Sequence, residues 1–185
     1  MNGINTFIKR KVNIKFNYIN KAFGNNSFTL LDVGAGNHSA SKTKQVFPNC
    51  TYYGLDMDKE TSYSAADFEV MHTFYEIDLT LLNLDSIPDH FFDYINMAHV
   101  IEHLHNGDKV LPLLLKKLKP SGYFYIEYPG QKSTTLPSMY GTLNFKDDPT
   151  HVRVYSVNEL KNIFEPNNCE VLQSGTRRNW YYIIA

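Results

Sequence analysis

Two glycines and an acidic residue form the first pattern in this sequence that could bind a small molecule. The segment LLDVGAG, residues 30–36, ends an apolar run, and Asp56 follows about 20 residues after Gly36. Glycine lets the backbone approach a ligand closely, and it tolerates a positive φ. A carboxylate at the tip of the next strand is placed to accept hydrogen bonds from both hydroxyls of a ribose. Gly34, Gly36 and Asp56 therefore predict a ligand that contains a nucleoside.

The turn lacks the third glycine that a dinucleotide-binding fold places where its helix begins. Asn37, His38 and Ser39 follow Gly36 instead. This departure from Gly-x-Gly-x-x-Gly disfavours binding of a pyrophosphate. A ligand that has a carboxylate and an amine, and no phosphate, does not depend on the third glycine in the same way. Asp32, just before the turn, could order the loop or meet a ligand amine.

Two histidines are candidates for a role at the second reactant. His99 directly follows an apolar strand-like run, which predicts a position next to the reacting group. His151 ends the segment DDPTH in a stretch rich in Gly, Pro, Ser and Thr, residues 129–153. A loop of that length inside a compact domain is usually functional. Asp147 or Asp148 could orient His151 by a hydrogen bond, as carboxylates often do for a catalytic imidazole.

A metal site is an alternative interpretation for His99, His103 and His105. His99 and His103 are four residues apart and could share a helix face, with Glu102 as an oxygen ligand. Neither a His-Glu-x-x-His pattern nor a cysteine-rich pattern is present. The sequence therefore predicts no metal, and we interpret Glu102 and His103 as structural residues that brace a helix.

Apolar strands and helices alternate along the chain and would position these residues. Strands are predicted at residues 27–33, 51–55, 73–77, 91–97, 123–128, 170–173 and 180–184, and helices at 39–47, 99–104 (broken) and 108–118. Ser156, with Glu159 three residues later, predicts the start of a further helix. Tight turns are predicted at residues 120–122 and 174–175. This βαβα rhythm favours an α/β fold with a parallel sheet covered on both faces.

The chain is predicted to form one domain, because no internal repeat or linker interrupts it. The main part spans residues 27–185. Residues 1–26 carry five basic residues and no acid, and we predict a basic lid helix that belongs to the same domain.

The ordered motifs resemble those of class I S-adenosylmethionine-dependent methyltransferases. The segments that carry the resemblance are LLDVGAGN, YYGLDMD, EIDL, FDYINMAHVIEHL and LKPSGYFYIEYP. The Glu-His-Leu ending of the fourth is similar to that of ubiquinone-pathway and small-molecule O-methyltransferases. The resemblance covers roughly residues 27–175. It implies a Rossmann-like three-layer α/β sandwich with a seven-stranded, mostly parallel sheet whose last strand is antiparallel.

The resemblance also implies S-adenosylmethionine as the cofactor, lying across the carboxyl ends of the strands. The implied contacts are Asp32, Gly34, Ala35 and Gly36 at the methionine part, Asp56 at the ribose, Met57, Asp78 and Leu79 at the adenine, and Met97 and Ala98 near the sulfonium.

Composition restricts the partners and the compartment. The net charge of −1 provides no global field for nucleic acid. No apolar run approaches the roughly 20 residues that span a bilayer, and the N-terminus lacks a secretory signal. Cys50 and Cys169 are far apart and are read as free thiols of a reducing compartment. We therefore predict a cytoplasmic protein without a nucleic-acid partner or a membrane span. The sequence does not indicate an oligomeric state.

The predicted reaction is O-methylation of a small-molecule or carbohydrate acceptor. The residues after the fourth strand, Asn96 to His99, do not form the Asn-Pro-Pro-Tyr motif, which argues against methylation of nucleobase amines or protein amides. Two alternatives are a nicotinamide-dependent oxidoreductase on the same type of sheet and a catalytically silent cofactor-binding protein.

Overall fold

One mixed sheet forms the centre of the molecule. The computed structural model describes residues 14–59, 63–138, 144–177 and 180–185. Within these ranges the strands are β1 (Phe28–Val33), β2 (Cys50–Asp56), β3 (Thr73–Glu76), β4 (Phe92–Ala98), β5 (Leu118–Pro129), β6 (Gln173–Arg177) and β7 (Trp180–Ile184).

The strand order is β3-β2-β1-β4-β5-β7-β6. Strands β1 to β5 pair in parallel, and β7 is antiparallel to both of its neighbours. The predicted α/β sheet with an antiparallel last strand is therefore confirmed. Chain order reverses between β1 and β4, and the crevice outside the carboxyl ends of such strands is where α/β sheets bind ligands.

Helices cover both faces of the sheet, as the nearly continuous burial of the inner strands requires. They are α1 (Ile14–Phe23), α2 (Ser39–Val46), α3 (Ala65–Val70), α4 (Gly107–Lys117) and α5 (Val157–Phe164). One core cluster joins the sheet to α4 and α5, and the other joins it to α1 and α2. Single 3₁₀ turns lie at Leu79–Leu81, Ile101–His103, Gln131–Thr135, Phe145–Asp147 and Glu165–Asn167.

Three sequence-based boundaries were wrong. Strand β5 runs through the expected turn at residues 120–122, because Ser121 takes a φ of 65° and the pairing with β4 shifts register there. The broken helix expected at 99–104 is one 3₁₀ turn, since His99 has a φ of 57°. The sixth strand lies at Gln173–Arg177 rather than at 170–173.

The sixth strand was misplaced because Ser174-Gly175 was interpreted as a turn. Gly175 instead pairs with Tyr182 in β7. A Cβ at Gly175 would lie 2.7 Å from the Tyr182 hydroxyl oxygen, so this glycine makes room for a ring. Packing between strands has overridden a local turn signal.

The N-terminal helix packs against the sheet through Phe16 and Ile19, which are both buried. Lys15 reaches from this helix to Ser39 at the start of α2, with 3.4 Å between its Nζ and the Ser39 Oγ. Residues 1–13 lie outside the described residues, so the lid in residues 1–26 stays a prediction. No helix in the described part of the chain is long and apolar enough to cross a membrane.

Candidate functional site

Parallel pairing brings the predicted cofactor residues to one edge of the sheet. Val33 at the end of β1 pairs with Leu55 in β2 and with Met97 in β4. The loops that follow these three strands therefore begin side by side. Seven of the predicted residues lie on those loops or strand tips: Gly34, Ala35, Gly36, Asp56, Met57, Met97 and Ala98.

The turn after β1 depends on a glycine at position 34. Gly34 has a φ of 72°, and its N–H donates to the carbonyl of Leu55 at 2.8 Å. A Cβ at this position would lie 2.2 Å from the Cγ2 of Val100. Two further residues of the loop, Asn37 and His38, also have positive φ. At Gly34 the positive φ and the close approach of Val100 both disfavour any residue with a Cβ.

Asp32 orders the loop after β1 through buried hydrogen bonds. It is 2% exposed, and its carboxylate accepts hydrogen bonds from Tyr52 at 2.6 Å, from Ser39 and from Asn96. These partners come from β2, α2 and β4, so one buried carboxylate joins the elements on both sides of the turn. These hydrogen bonds show that Asp32 orders the loop, and its contact with a ligand amine stays a prediction.

Asp56 at the tip of β2 keeps capacity for further hydrogen bonds. Its Oδ1 accepts from the N–H of Met57 at 2.8 Å and its Oδ2 from the Tyr63 hydroxyl at 2.9 Å. A carboxylate has about four acceptor sites, and Asp56 is only partly buried. Met57 is 68% exposed, so it presents an apolar surface beside this carboxylate.

The remaining predicted contacts are Asp78 and Leu79 after β3, and Met97 and Ala98 at the end of β4. In each pair one side chain is buried and the other is partly exposed. Asp78 caps the turn Leu79–Leu81 by accepting from the N–H of Thr80 at 2.8 Å, and Leu79 is buried beneath it. Met97 is fully buried in the core, whereas Ala98 is partly exposed. A ligand at this edge would meet Ala98 directly and Met97 through its backbone.

Asp67, which is not among the residues predicted from the sequence, supports the loop between β1 and α2 from its position in α3. It is fully buried and accepts from Ser41, from the N–H and hydroxyl of Ser64, and from the His38 ring at 2.7 Å. Burial alone would raise the pKa of Asp67, but these hydrogen bonds hold it well below its usual range. The capping box with Ser64 is local, whereas the burial of Asp67 and its contacts with Ser41 and His38 are tertiary.

Replacing Asp67 with Asn is expected to lower the free energy of unfolding at pH 7 by about 2–4 kcal/mol, because hydrogen bonds to a charged group are each worth about 1.5–3 kcal/mol. The folded-state pKa of Asp67 lies below its unfolded value of about 3.9. Its contribution is therefore complete above that value and is lost as the pH falls toward the folded-state pKa. Urea unfolding of both proteins between pH 7 and pH 3 measures this, with exposed Asp85→Asn as control. A difference that does not narrow in acid would contradict the assignment.

His99 lies between two carboxylates at the end of β4. Its Nδ1 is 3.3 Å from the Oε1 of Glu102 and its Nε2 is 3.3 Å from the Oε1 of Glu127. Burial alone would lower the pKa of His99, but the hydrogen bonds and charges of these two glutamates raise it to about 9. Glu127 was not among the sequence candidates. It pairs with Ala98 across β4 and β5, a proximity that the sequence order does not reveal.

His151 is oriented by a backbone carbonyl rather than by the carboxylates expected from sequence. Its Nδ1 lies 2.7 Å from the carbonyl oxygen of Phe145, and its ring is 14% exposed. The Oδ2 of Asp148 lies 3.7 Å from the Nε2 of His151, beyond a hydrogen bond. Asp147 instead caps its own 3₁₀ turn. The carbonyl can only accept, so Nδ1 is the donor, and in the neutral imidazole Nε2 would carry the lone pair.

The structure brings His151 to Glu102, which is 1% exposed. The Nε2 of His151 is 4.0 Å from the Oε1 of Glu102, and the His103 and His151 ring centroids are 4.9 Å apart. Glu102, His103 and His151 are called the histidine–glutamate cluster below. It adjoins the glycine turn through Val100, which touches the position of Gly34.

A sheet of this order, with a glycine turn after β1 and a carboxylate at the tip of β2, defines the class I methyltransferase fold. A family model described as a methyltransferase domain matches residues 8–174. The chain therefore belongs to the methyltransferase domain family, and the resemblance drawn from the sequence is confirmed.

Individual relatives agree with this assignment. The chain is 27% identical over 142 residues to an uncharacterized methyltransferase, YcgJ, of Bacillus subtilis strain 168, a match that covers 75% of this chain and 55% of that protein. The chain thus spans about half the length of this curated relative.

Two solved structures show the same fold. A SAM-dependent methyltransferase from Archaeoglobus fulgidus has a TM-score of 0.66 and 20% identity, and the match covers 100% of this chain and 94% of that one. An O-methyltransferase family protein from Burkholderia thailandensis has a TM-score of 0.64 and 14% identity, and the match covers 85% of this chain and 50% of that one.

Proposed function

We propose that the protein transfers the methyl group of S-adenosylmethionine to a hydroxyl oxygen of a small-molecule or carbohydrate acceptor. The observation that carries the choice of oxygen is the orientation of His151, whose Nδ1 faces the Phe145 carbonyl while its Nε2 lies beside buried Glu102 at the edge where the glycine turn and Asp56 lie. Family membership supports methyl transfer and disfavours the nicotinamide-dependent alternative.

The cofactor would lie along the tips of β1, β2 and β4. Its amino-acid part would meet the backbone of Gly34 to Gly36, and its ribose hydroxyls would donate to Asp56. The adenine would lie between Met57 and the Asp78–Leu79 turn. Ala98 and the adjoining His99 would line the part of the site where the cofactor supplies its methyl group.

Methyl transfer from a sulfonium is an in-line displacement with an activated leaving group. The protein has to hold the acceptor oxygen near the methyl carbon, and such positioning can contribute roughly 7–11 kcal/mol. A hydroxyl of high pKa must also lose its proton, and a positioned base that accepts this proton raises the rate about 10²–10⁴-fold. We assign this proton to His151, because its Nε2 lies 4.0 Å from the Oε1 of Glu102 and 3.7 Å from the Oδ2 of Asp148, beyond hydrogen-bond distance of both.

His99 has a different part in this proposal. Both of its ring nitrogens face carboxylate oxygens, so neither presents a lone pair to an acceptor hydroxyl. The ring instead lines the approach to the methyl group, next to Ala98, and its 39% exposed surface can contact the acceptor.

His151→Asn is expected to reduce methyl transfer about 100-fold or more while leaving the affinity for S-adenosylhomocysteine within about twofold. The measurement uses S-adenosylmethionine with an isotopically labelled methyl group and a panel of sugars and phenols. His105→Asn replaces an exposed histidine and is the matched control.

Labelled O-methyl product that depends on His151 supports the proposal. Product methylated on nitrogen, sulfur or carbon, or O-methylation that is equally fast in the His151 variant, would contradict it.

A further inference from the structure

Two carboxylates lie at the tip of β4, beside Ala98. Glu127 pairs with Ala98 across β4 and β5, and its backbone carbonyl accepts from the N–H of His99 at 2.8 Å. Glu102 lies in the next turn, and its Oε1 is 3.3 Å from the Nδ1 of His99. Glu102 and Glu127 are called the paired carboxylates below. They adjoin the residues that would line the part of the site where the methyl group is supplied.

Glu127 keeps its negative charge although most of its side chain is buried. Its Oε1 lies 3.3 Å from the Nε2 of His99, and its Oε2 accepts from the Tyr125 hydroxyl. Burial alone would raise the pKa of Glu127, but these hydrogen bonds and the charges of His99 and Lys15 hold it below its ordinary value. The side chain is 18% exposed, so a ligand beside Ala98 can come close to the carboxylate.

Glu102 is more deeply buried and has unused hydrogen-bonding capacity. Its side chain is 2% exposed, and among the described residues its Oε2 has no hydrogen-bond partner. Its Oε1 also lies 4.0 Å from the Nε2 of His151, so Glu102 connects the tip of β4 with the histidine–glutamate cluster. A buried carboxylate with an unpaired oxygen is costly, and a positive charge nearby would stabilise it.

The paired carboxylates carry more charge than the cation between them. His99 supplies one positive charge at neutral pH against two negative ones. Lys15 reaches this side of the sheet from α1, where its Nζ lies 3.4 Å from the Ser39 hydroxyl, which donates to buried Asp32. The carboxylate of Asp32 therefore offsets the charge of Lys15. Within the part of the chain that the structure describes, a negative charge is left at the tip of β4.

We propose that Glu127, together with Glu102, makes the site selective for the sulfonium form of the cofactor over its thioether product. A sulfonium carries a positive charge, whereas the sulfur of S-adenosylhomocysteine is neutral. Opposite charges attract more strongly where water is partly excluded, so a net negative charge beside Ala98 favours the sulfonium. Once the methyl group is bonded to the acceptor oxygen, the electron pair of the broken carbon–sulfur bond stays on sulfur and this attraction is lost. The paired carboxylates thereby assist release of the product.

This selectivity rests on the proposed function for the position of the cofactor sulfur near Ala98. A purely structural role of Glu127 predicts a different result. If Glu127 only held the ring of His99 in place, its replacement would weaken binding of both forms of the cofactor equally. An effect of charge instead changes the ratio of the two affinities.

Calorimetric titrations with S-adenosylmethionine and S-adenosylhomocysteine, without an acceptor, test the selectivity. In Glu127→Gln the ratio of the two Kd values should shift about tenfold against S-adenosylmethionine, because a side chain of nearly the same shape has lost its charge. Glu127→Asp keeps the charge and should stay within about threefold of the native ratio. An analogue in which a carbon bearing a protonated amine replaces the sulfonium should follow S-adenosylmethionine, since it carries the same charge.

His99→Gln gives the opposite expectation and still decides if Glu127→Gln fails to fold, as judged by circular dichroism. It removes the cation between the paired carboxylates, so the ratio should shift in favour of S-adenosylmethionine. Glu170→Gln removes an exposed carboxylate outside the site and should leave the ratio unchanged.

An unchanged ratio in folded Glu127→Gln, or a shift against S-adenosylmethionine in His99→Gln, would overturn the selectivity while both ligands still bind. A native chain that binds neither ligand would overturn the proposed function and the selectivity together, so the two failures are distinguishable.

Discussion

Asp56→Ala is expected to weaken binding of S-adenosylhomocysteine about 100-fold while leaving the fold intact. The carboxylate would accept hydrogen bonds from both ribose hydroxyls, and bonds to a charged group contribute about 1.5–3 kcal/mol each. A loss of about 3 kcal/mol corresponds to about two orders of magnitude in Kd. Asp56 is partly exposed and its protein partners are the Met57 N–H and the Tyr63 hydroxyl, so its removal leaves no large buried group unsatisfied. Equilibrium titration measures the loss of affinity, and thermal unfolding of the variant without ligand tests whether the fold is intact.

Tyr63→Phe is the matched control for this variant. It removes only the 2.9 Å hydrogen bond that orients the Asp56 carboxylate, and it should weaken binding a few-fold at most. An Asp56→Ala protein that binds the ligand as well as native would show that the ribose lies elsewhere.

Gly34→Ala is expected to have the second large effect, on both stability and binding. Gly34 has a φ of 72°, which costs an alanine about 1–2 kcal/mol. A Cβ would lie 2.2 Å from the Cγ2 of Val100, and overpacking of this kind costs about 1–3 kcal/mol. The sum, about 2–5 kcal/mol, should lower Tm by roughly 5–15 °C. The shifted turn should also lose most of its affinity for S-adenosylhomocysteine. Urea unfolding and the same titration measure the two effects.

The double variant Gly34→Ala/Val100→Ala separates the two causes. Val100→Ala removes the methyl group that the new Cβ would meet, so the double variant should recover part of the stability lost in Gly34→Ala. The cost of the positive φ remains. If the double variant is no more stable than Gly34→Ala, the contact with Val100 is not the source of the loss.

The sheet and the cofactor edge could be predicted because their signals are local. Buried parallel strands are short apolar runs, and the glycine turn and Asp56 sit at fixed positions relative to β1 and β2. The elements that were predicted wrongly are those whose position depends on packing between segments distant in the chain. Ser174 and Gly175 have turn propensity, yet they lie in β6 because Gly175 accommodates Tyr182.

The acceptor side depended even more on long-range contacts. His99 was selected from its place after β4, but the residue that faces its Nε2, Glu127, comes from the neighbouring strand. His151 was selected from its loop, but no sequence pattern indicates that it packs beside Glu102 and His103. Asp67 closes a capping box with Ser64, which is a local motif, but its complete burial and its hydrogen bonds from Ser41 and His38 follow only from tertiary packing.

Calorimetric titration of the native chain with S-adenosylhomocysteine, beside a parallel titration with NAD, tests the central claim most directly. We expect one S-adenosylhomocysteine to bind per chain with a micromolar Kd, and NAD to give no heat of binding. A well-folded native chain that binds NAD and not S-adenosylhomocysteine, or that binds neither, would contradict the assignment of this edge as a methyl-donor site.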